Sequence, residues 1–239
     1  MDTKKPLERK AYGSIGHLPI SKIGQGDKRV HFGQALICLE KFRDKHDELV
    51  VQEKLDGSCV AVAKHKGELV FMTRAGYAAH TSPHRQHHLF AQWAQANRER
   101  FFKMLNEGER AVGEWLAQAH GTRYNLTHEP FVLFDLITGT TRTSFDEFQR
   151  RAENFIQPRL IHRGGPLGLH HVAEAITTSG HGAELTEGVV YRIYRQGKID
   201  FLAKFVRPDF PTGKYLFGVT GHEDVWNWNP SIQKEAICR

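Results

Sequence analysis

Cysteine is scarce in this 239-residue chain. There are three, Cys38, Cys59 and Cys238, far apart and without a Cys-x-x-Cys pair. That argues against a disulfide framework and against a structural zinc site of the usual spacing. No apolar run approaches the roughly 20 residues that span a bilayer. The opening MDTKKPLERKAYG lacks the apolar core of a secretory signal. Repeats and low-complexity tracts are absent, and 40% hydrophobic residues is not the composition of a disordered chain. These absences point to a soluble, reduced, cytoplasmic protein with no membrane partner. Acidic residues are the minority charge, 27 against 33 Lys and Arg, for a net charge of +6. A positive balance favours polyanionic partners, nucleic acid first, and bears on encounter rather than chemistry.

What the chain has is a succession of short apolar strands between turn residues. Residues 1–30, rich in Gly, Lys and Pro, read as loops and short strands, and 35–48 as a short helix. Runs 49–55 and 58–64 alternate as strands, joined through Asp56-Gly57, and 68–74 follows a Lys66-Gly67 turn. Residues 83–106 predict one long helix, with Ser82 to cap it, Pro83 in its first turn and Gly108 past its end. Segments 111–115 and 131–137 read as buried strands. Ser144 and Glu147 form a capping box that opens a helix to about Gln157. Residues 170–179 suggest another helix, and 188–195 with 198–206 a hairpin about Gln196-Gly197. Strands around a few helices imply an α+β domain of mainly antiparallel sheets. No linker interrupts it, so 1–239 reads as one domain, with a short tail over 208–239.

Lys54 lies at the end of a strand in LVVQEKLDGSCVAVA. Alternation puts Val50, Gln52 and Lys54 on one face and Val51, Glu53 and Leu55 on the other. A lysine in an apolar strand either reaches solvent or serves a purpose. As a nucleophile it must lose its proton, which burial or a nearby cation favours. Five further residues stand in order behind it. Arg74 ends the third strand, where a guanidinium can hold a ribose or a phosphate. Glu114 interrupts the apolar AVGEWLA, and a carboxylate there needs a partner. Phe134, in FVLFD, can stack on a purine, with Phe131 as the fallback, and Asp135 can anchor a neighbouring strand. Glu187 opens EGVVYR, with Val189 and Tyr191 on its face. Lys204, in FLAKFVR, shares a face with Leu202 and Val206.

The ordered set Glu53-Lys54-Leu55-Asp56-Gly57, Arg74, Glu114, Phe134, Glu187-Gly188-Val189-Val190 and Lys204 resembles the nucleotidyltransferase motifs of the covalent polynucleotide ligase and capping-enzyme superfamily, and most closely its RNA ligase branch. The resemblance spans about 53–206. It implies an ATP-grasp-like adenylation fold and an ATP-dependent enzyme that joins 5′-phosphate and 3′-hydroxyl RNA ends through lysyl-AMP and an adenylylated 5′ end. It implies Lys54 as nucleophile, supported by Asp56, and Glu53, Arg74, Glu114 and Phe134 as nucleotide contacts. Glu187 would bind Mg²⁺ or Mn²⁺, and Lys204 would contact the α-phosphate. RNA, in a nicked duplex or an RNA/DNA hybrid, is the implied partner, with an end-healing or RNA-holding protein alongside.

The chain departs from this pattern in two ways. Many ligases have two lysines two residues apart in the last motif, and here only Lys204 fits, with Arg207 the nearest substitute. The 35 residues after Lys204 are too few for a five-stranded OB-fold. Lys22, Lys28 and Arg29 are candidates to orient the leaving pyrophosphate. The cluster His84-Arg85-Gln86-His87-His88 reads as a solvated helix start, and Trp226 and Trp228 as a tail docking on the core. Two rivals remain: a compact DNA ligase, and a nucleic-acid-binding module that has lost its chemistry.

Overall fold

Among the described residues ten strands sort into two five-stranded sheets. The computed structural model describes residues 4–182 and 184–228; Cys238 lies outside them. The first sheet has the order β1 (Gly16–His17), β10 (Lys198–Val206), β9 (Gly188–Arg195), β2 (Asp47–Lys54), β8 (Leu160–Gly164). Only the β1–β10 pair in it is parallel. The second has the order β4 (Glu68–Thr73), β3 (Ser58–His65), β5 (Glu109–Trp115), β6 (Phe131–Thr138), β7 (Thr141–Arg142), antiparallel throughout.

Each sheet buries an apolar outer face under helices. Leu49, Val51, Val189, Tyr191 and Ile193 pack against α1 (Phe32–Leu39) and α5 (Leu169–Ala175) through Ala35, Cys38 and Val172. Val60, Val62, Trp115, Phe131 and Leu133 pack against α2 (Arg85–Ala96), α3 (Arg98–Met104) and α4 (Phe145–Arg151). Full burial of such side chains contributes about 1.5–3 kcal/mol each. The fold is thus α+β with antiparallel-dominated sheets flanked by helices. No helix among the described residues is long and apolar enough to cross a membrane.

The inner faces meet with polar groups between them. Arg192 donates to Asp135 at 2.7 Å and to the Phe134 carbonyl at 2.8 Å, tying β9 to β6. Asp135 also accepts from the Tyr12 hydroxyl at 2.7 Å and from Arg142 at 3.1 Å. A buried carboxylate among two guanidiniums and a phenol has its lone pairs satisfied.

Several sequence expectations are corrected. Strands β2 and β3, joined through Asp56-Gly57 as expected, do not pair with each other: Leu55, Asp56 and Gly57 cross from one sheet to the other. Gly57 is required by proximity, since a Cβ there would lie 2.6 Å from the Trp115 carbonyl oxygen. The long helix over 83–106 is two, because Asn97 leaves helical geometry (φ −102°, ψ 17°) and its side-chain amide donates to the Trp93 carbonyl. Ser82 is not the N-cap residue of α2; His84 is, and its N–H donates to the Ser82 hydroxyl at 3.2 Å. The first helix ends at Leu39, before the charged KFRDKHDE, and α4 and α5 end sooner than expected, at Arg151 and Ala175. Ser144 does cap α4, accepting from the Glu147 N–H. Trp226 and Trp228 do pack on the second sheet's outer core, Trp228 edge-on to Trp115 at 5.7 Å.

Candidate active site

A cavity of about 780 Å³ opens between the inner faces, bordered by Gln52, Lys54, Cys59, Arg74, Glu114, Phe134, Val190 and Lys204. Its size suits a nucleotide-scale ligand. Six of the sequence candidates therefore border one cavity: Glu53, Lys54, Arg74, Glu114, Phe134 and Lys204.

Lys54 is the last residue of β2, opposite Gly188. Its Nζ lies 2.5 Å from Glu187 Oε2 and donates to its neighbour's carbonyl at 3.3 Å. Burial draws its pKa down, but Glu187, Glu114 and Asp56 outweigh that and the net shift is upward. This corrects the expectation of a lowered pKa: with Glu187, Glu114 and Asp56 close by, the amine is held as ammonium. The carboxylates carry the strain of the same burial, Glu114 pushed up to about 8 and Glu187 to about 7. Lys204 is shifted down, first by burial and then by Lys54. Its nearest anion is Asp27, at 3.8 Å, on a loop where His17 also holds Asp27 at 2.9 Å.

Glu187 reaches Lys54 because it precedes β9 and is free of that strand's alternation. Val189 and Tyr191, expected on its face, belong instead to the outer core. Gly188 has no room for a side chain, since a Cβ would collide with the Phe205 carbonyl. Phe134 owes its position to a β-bulge: Gly113 pairs with Leu133 and Val112 with Asp135, leaving Phe134 unpaired between them. A bulge re-aims side chains, and this one sends both Phe134 and Asp135 inward. Phe134 packs edge-on to Tyr12 at 5.2 Å. Phe131, the fallback, is fully buried on the outer face among Phe90, Trp93 and Phe101, so it is core.

Two candidates are engaged elsewhere. Glu53 borders the cavity, but its buried carboxylate is bound by the Ser179 hydroxyl and by the Gly180 N–H at 2.9 Å and anchors the loop before Glu187. Asp56 accepts from the Gly121 and Thr122 N–H groups at 2.6 and 2.8 Å, which pins the 121–122 loop beneath the nucleophile. Arg74 is exposed at the rim and donates to the Gly13 carbonyl and the Ser14 hydroxyl, both at 3.2 Å. Arg207 does not replace the missing lysine: it donates to the Thr186 carbonyl and pairs with Asp209 at 2.7 Å. Lys22 donates to the Phe210 carbonyl and Arg29 to the Leu18 carbonyl. Neither they nor Lys28 border the cavity.

Sequence reading passed over Gln52. It is buried on the Lys54 face, borders the cavity, and its amide has no hydrogen-bond partner among the described residues. Its parity with Lys54 was the available signal. The histidine cluster is also corrected: His84 and His88 are exposed, but Gln86 and His87 are buried. Among the described residues no group of three or more His, Cys, Asp or Glu could hold a metal unaided.

A family model described as RNA ligase matches residues 47–206, well over half of the sequence and the whole of this cavity's motif series. The chain belongs to the RNA ligase family. Among solved structures, a variant of Naegleria gruberi RNA ligase with AMP and Mn is 17% identical with a TM-score of 0.56, covering 85% of this chain and 61% of that one. A variant with ATP and Mn is 19% identical at 0.52, covering 83% and 61%. The same ligase with pyrophosphate is 19% identical at 0.52, covering 90% and 63%. At these identities the likeness establishes the fold. This RNA ligase family member spans less than two thirds of those chains. A search of curated proteins found no match.

Proposed function

We propose that the chain is an ATP-dependent RNA ligase that works through a lysyl-AMP on Lys54. The observation that carries this is a primary amine held 2.5 Å from Glu187 in a nucleotide-sized cavity, with Phe134, Glu114, Arg74 and Lys204 on its walls. Phe134 offers a face to the purine, Val190 packs beside it, and the Gln52 amide faces the base edge. Glu114 accepts from ribose hydroxyls, and Lys204 offsets charge on the α-phosphate.

The Lys54 amine attacks the α-phosphorus of ATP, forming a P–N bond as pyrophosphate leaves. A 5′-phosphate oxygen of RNA then attacks the same phosphorus, breaking the P–N bond and freeing Lys54. A 3′-hydroxyl finally attacks the RNA 5′-phosphorus, and AMP leaves. The two buried carboxylates, Glu187 and Glu114, are oxygen donors of the kind Mg²⁺ or Mn²⁺ takes, and one or two suffice when phosphates complete the shell. Such a cation supplies charge neutralisation for phosphates and carboxylates alike. Carboxylates so engaged would hold the Lys54 proton less strongly, and burial would then favour the free amine.

The support for ATP and a divalent metal is the ligand content of the Naegleria ligase structures, and for RNA it is the family. Intact-protein mass spectrometry after incubation with Mg²⁺ and each nucleoside triphosphate tests the reading. An AMP-sized adduct from ATP, absent from Lys54→Ala, is the expected result; a folded protein that takes no adduct refutes it. Nick sealing on all-DNA and RNA-containing duplexes, side by side, then separates RNA from DNA ligation.

A further inference from the structure

Helix α2 carries a histidine that the reaction above does not use. His87 lies on the buried face with Phe90, Trp93 and Ala94. A polar ring on that face needs partners, and it has two. Nε2 is 2.7 Å from the Ser58 hydroxyl and Nδ1 is 2.6 Å from the Ser82 hydroxyl. Burial, with His84, His120 and His88 adding to it, lowers its pKa to about 4. The ring is therefore neutral at working pH, with one N–H and one lone pair.

The chain of bonds has a direction. The His84 backbone N–H donates to the Ser82 hydroxyl, and in the Nε2–H tautomer that hydroxyl turns its own proton to Nδ1. Nε2 then carries the ring proton and donates to Ser58. Ser58 is left with its own proton to give outward. Successive bonds of this kind polarise one another.

Ser58 opens β3, four residues after Lys54. By strand parity its side chain goes with Val60 and Val62 on the outer face, whereas Cys59 goes inward. Yet Ser58, Ser82, His84 and His87 border the same cavity as Lys54 and Phe134. The cavity therefore rounds the start of β3, from the space between the sheets to the space under α2. A mononucleotide stacked on Phe134 occupies the first part and leaves the second open. Arg74 at the rim, exposed His84 and the Ser58 hydroxyl make that second part suited to a phosphate carried by a chain.

We infer that the space under α2 receives the 5′-phosphorylated end of the RNA strand, with Ser58 as a hydroxyl donor to that end and His87 as the residue that positions Ser58. The inference rests on the ligase reading above.

The test uses the two amides that mimic one ring nitrogen each. The amide of His87→Gln reaches the Nε2 position and Ser58, whereas that of His87→Asn reaches the Nδ1 position and only Ser82. Protein already carrying lysyl-AMP is mixed with a 5′-phosphorylated RNA oligonucleotide, and AMP transfer is followed in a single turnover beside thermal melting of each variant. His87→Asn is expected to slow transfer by ~10–100-fold, on the scale known for loss of a hydrogen-bond partner behind a metal ligand. His87→Gln recovers most of the rate at similar melting temperature, and Ser58→Ala behaves as His87→Asn does. Equal rates for the two amides, losses that simply follow melting temperature, or Ser58→Ala at the wild-type rate overturn the inference. If His87→Asn does not fold, Ser58→Ala decides. Wild type that forms no lysyl-AMP removes the ligase reading and this inference with it. Lysyl-AMP with transfer unchanged in the variants removes this inference alone.

Discussion

A side chain's duty in this cavity follows from what has already claimed it. Glu53, Asp56 and Glu187 are all carboxylates near Lys54, yet Glu53 is spent on Ser179 and Gly180, and Asp56 on two loop N–H groups. Among the described residues the Glu187 carboxylate accepts a hydrogen bond from Lys54 alone. Removing its charge should therefore strike chemistry rather than folding. Glu187→Gln is expected to slow lysyl-AMP formation on the order of 10²-fold, the scale of losing one electrostatic group at a reacting centre, with melting temperature little changed; single-turnover labelling with ATP checks it. Gly57 is the opposite case. Adding one methyl sets it against the Trp115 carbonyl at 2.6 Å and the Leu116 side chain at 3.0 Å. Gly57→Ala should cost about 1–3 kcal/mol of stability by overpacking, read from urea unfolding.

Elements set which residues can meet, and here local pattern was informative up to a point. The β9–β10 hairpin was legible to the residue, because Gln196-Gly197 forces a tight turn between alternating strands; both have positive φ. Asp56-Gly57 carries similar turn chemistry and is silent on pairing, because a crossing between sheets uses the same residues as a hairpin. Lys54, Arg74, Glu114 and Lys204 stood out as charges in or at the ends of apolar strands, and Phe134 through the ordered motif series they belong to. His87 did not, since nothing local distinguishes a histidine aimed at Ser58 from one facing water. The bulge at Phe134 was likewise silent, being a matter of β5–β6 register. The Asp135 cluster that stabilises this bulge is open to test. Asp135 and Arg192 are both nearly fully buried, so Asp135→Asn leaves an uncompensated guanidinium and should cost about 3–5 kcal/mol. Denaturant unfolding measures the loss, and ATP affinity should fall with it as Phe134 loses its mount.

The molecule as a whole joins its layers through charge as well as apolar packing. Asp47 is held by Arg43 at 2.7 Å and Arg195 at 2.8 Å, and Arg43 reaches on to Asp200 at 2.7 Å, so the turn after α1 is fastened to β9 and β10. Burial alone would raise the Asp47 carboxyl, but the two guanidiniums outweigh it and bring it to about 2. A carboxyl lowered on folding stabilises fully above its unfolded pKa, near 4, and loses that contribution as pH falls towards 2. Asp47→Asn should thus melt below wild type at pH 7, with the gap closing between pH 4 and pH 2; melting curves across that range check it.

The three-residue crossing from Lys54 to Ser58 sets a length. Stacked sheets stand about 10 Å apart, and four extended steps of chain reach only about 13–14 Å. Little slack is left. The depth at which the amine sits and the gap between the two sheets are one measurement made by the same piece of backbone. Change of length must accumulate elsewhere in such a chain, in loops and at its ends, while this stretch acts as a ruler that cannot be recut without moving the nucleophile and opening the cleft together.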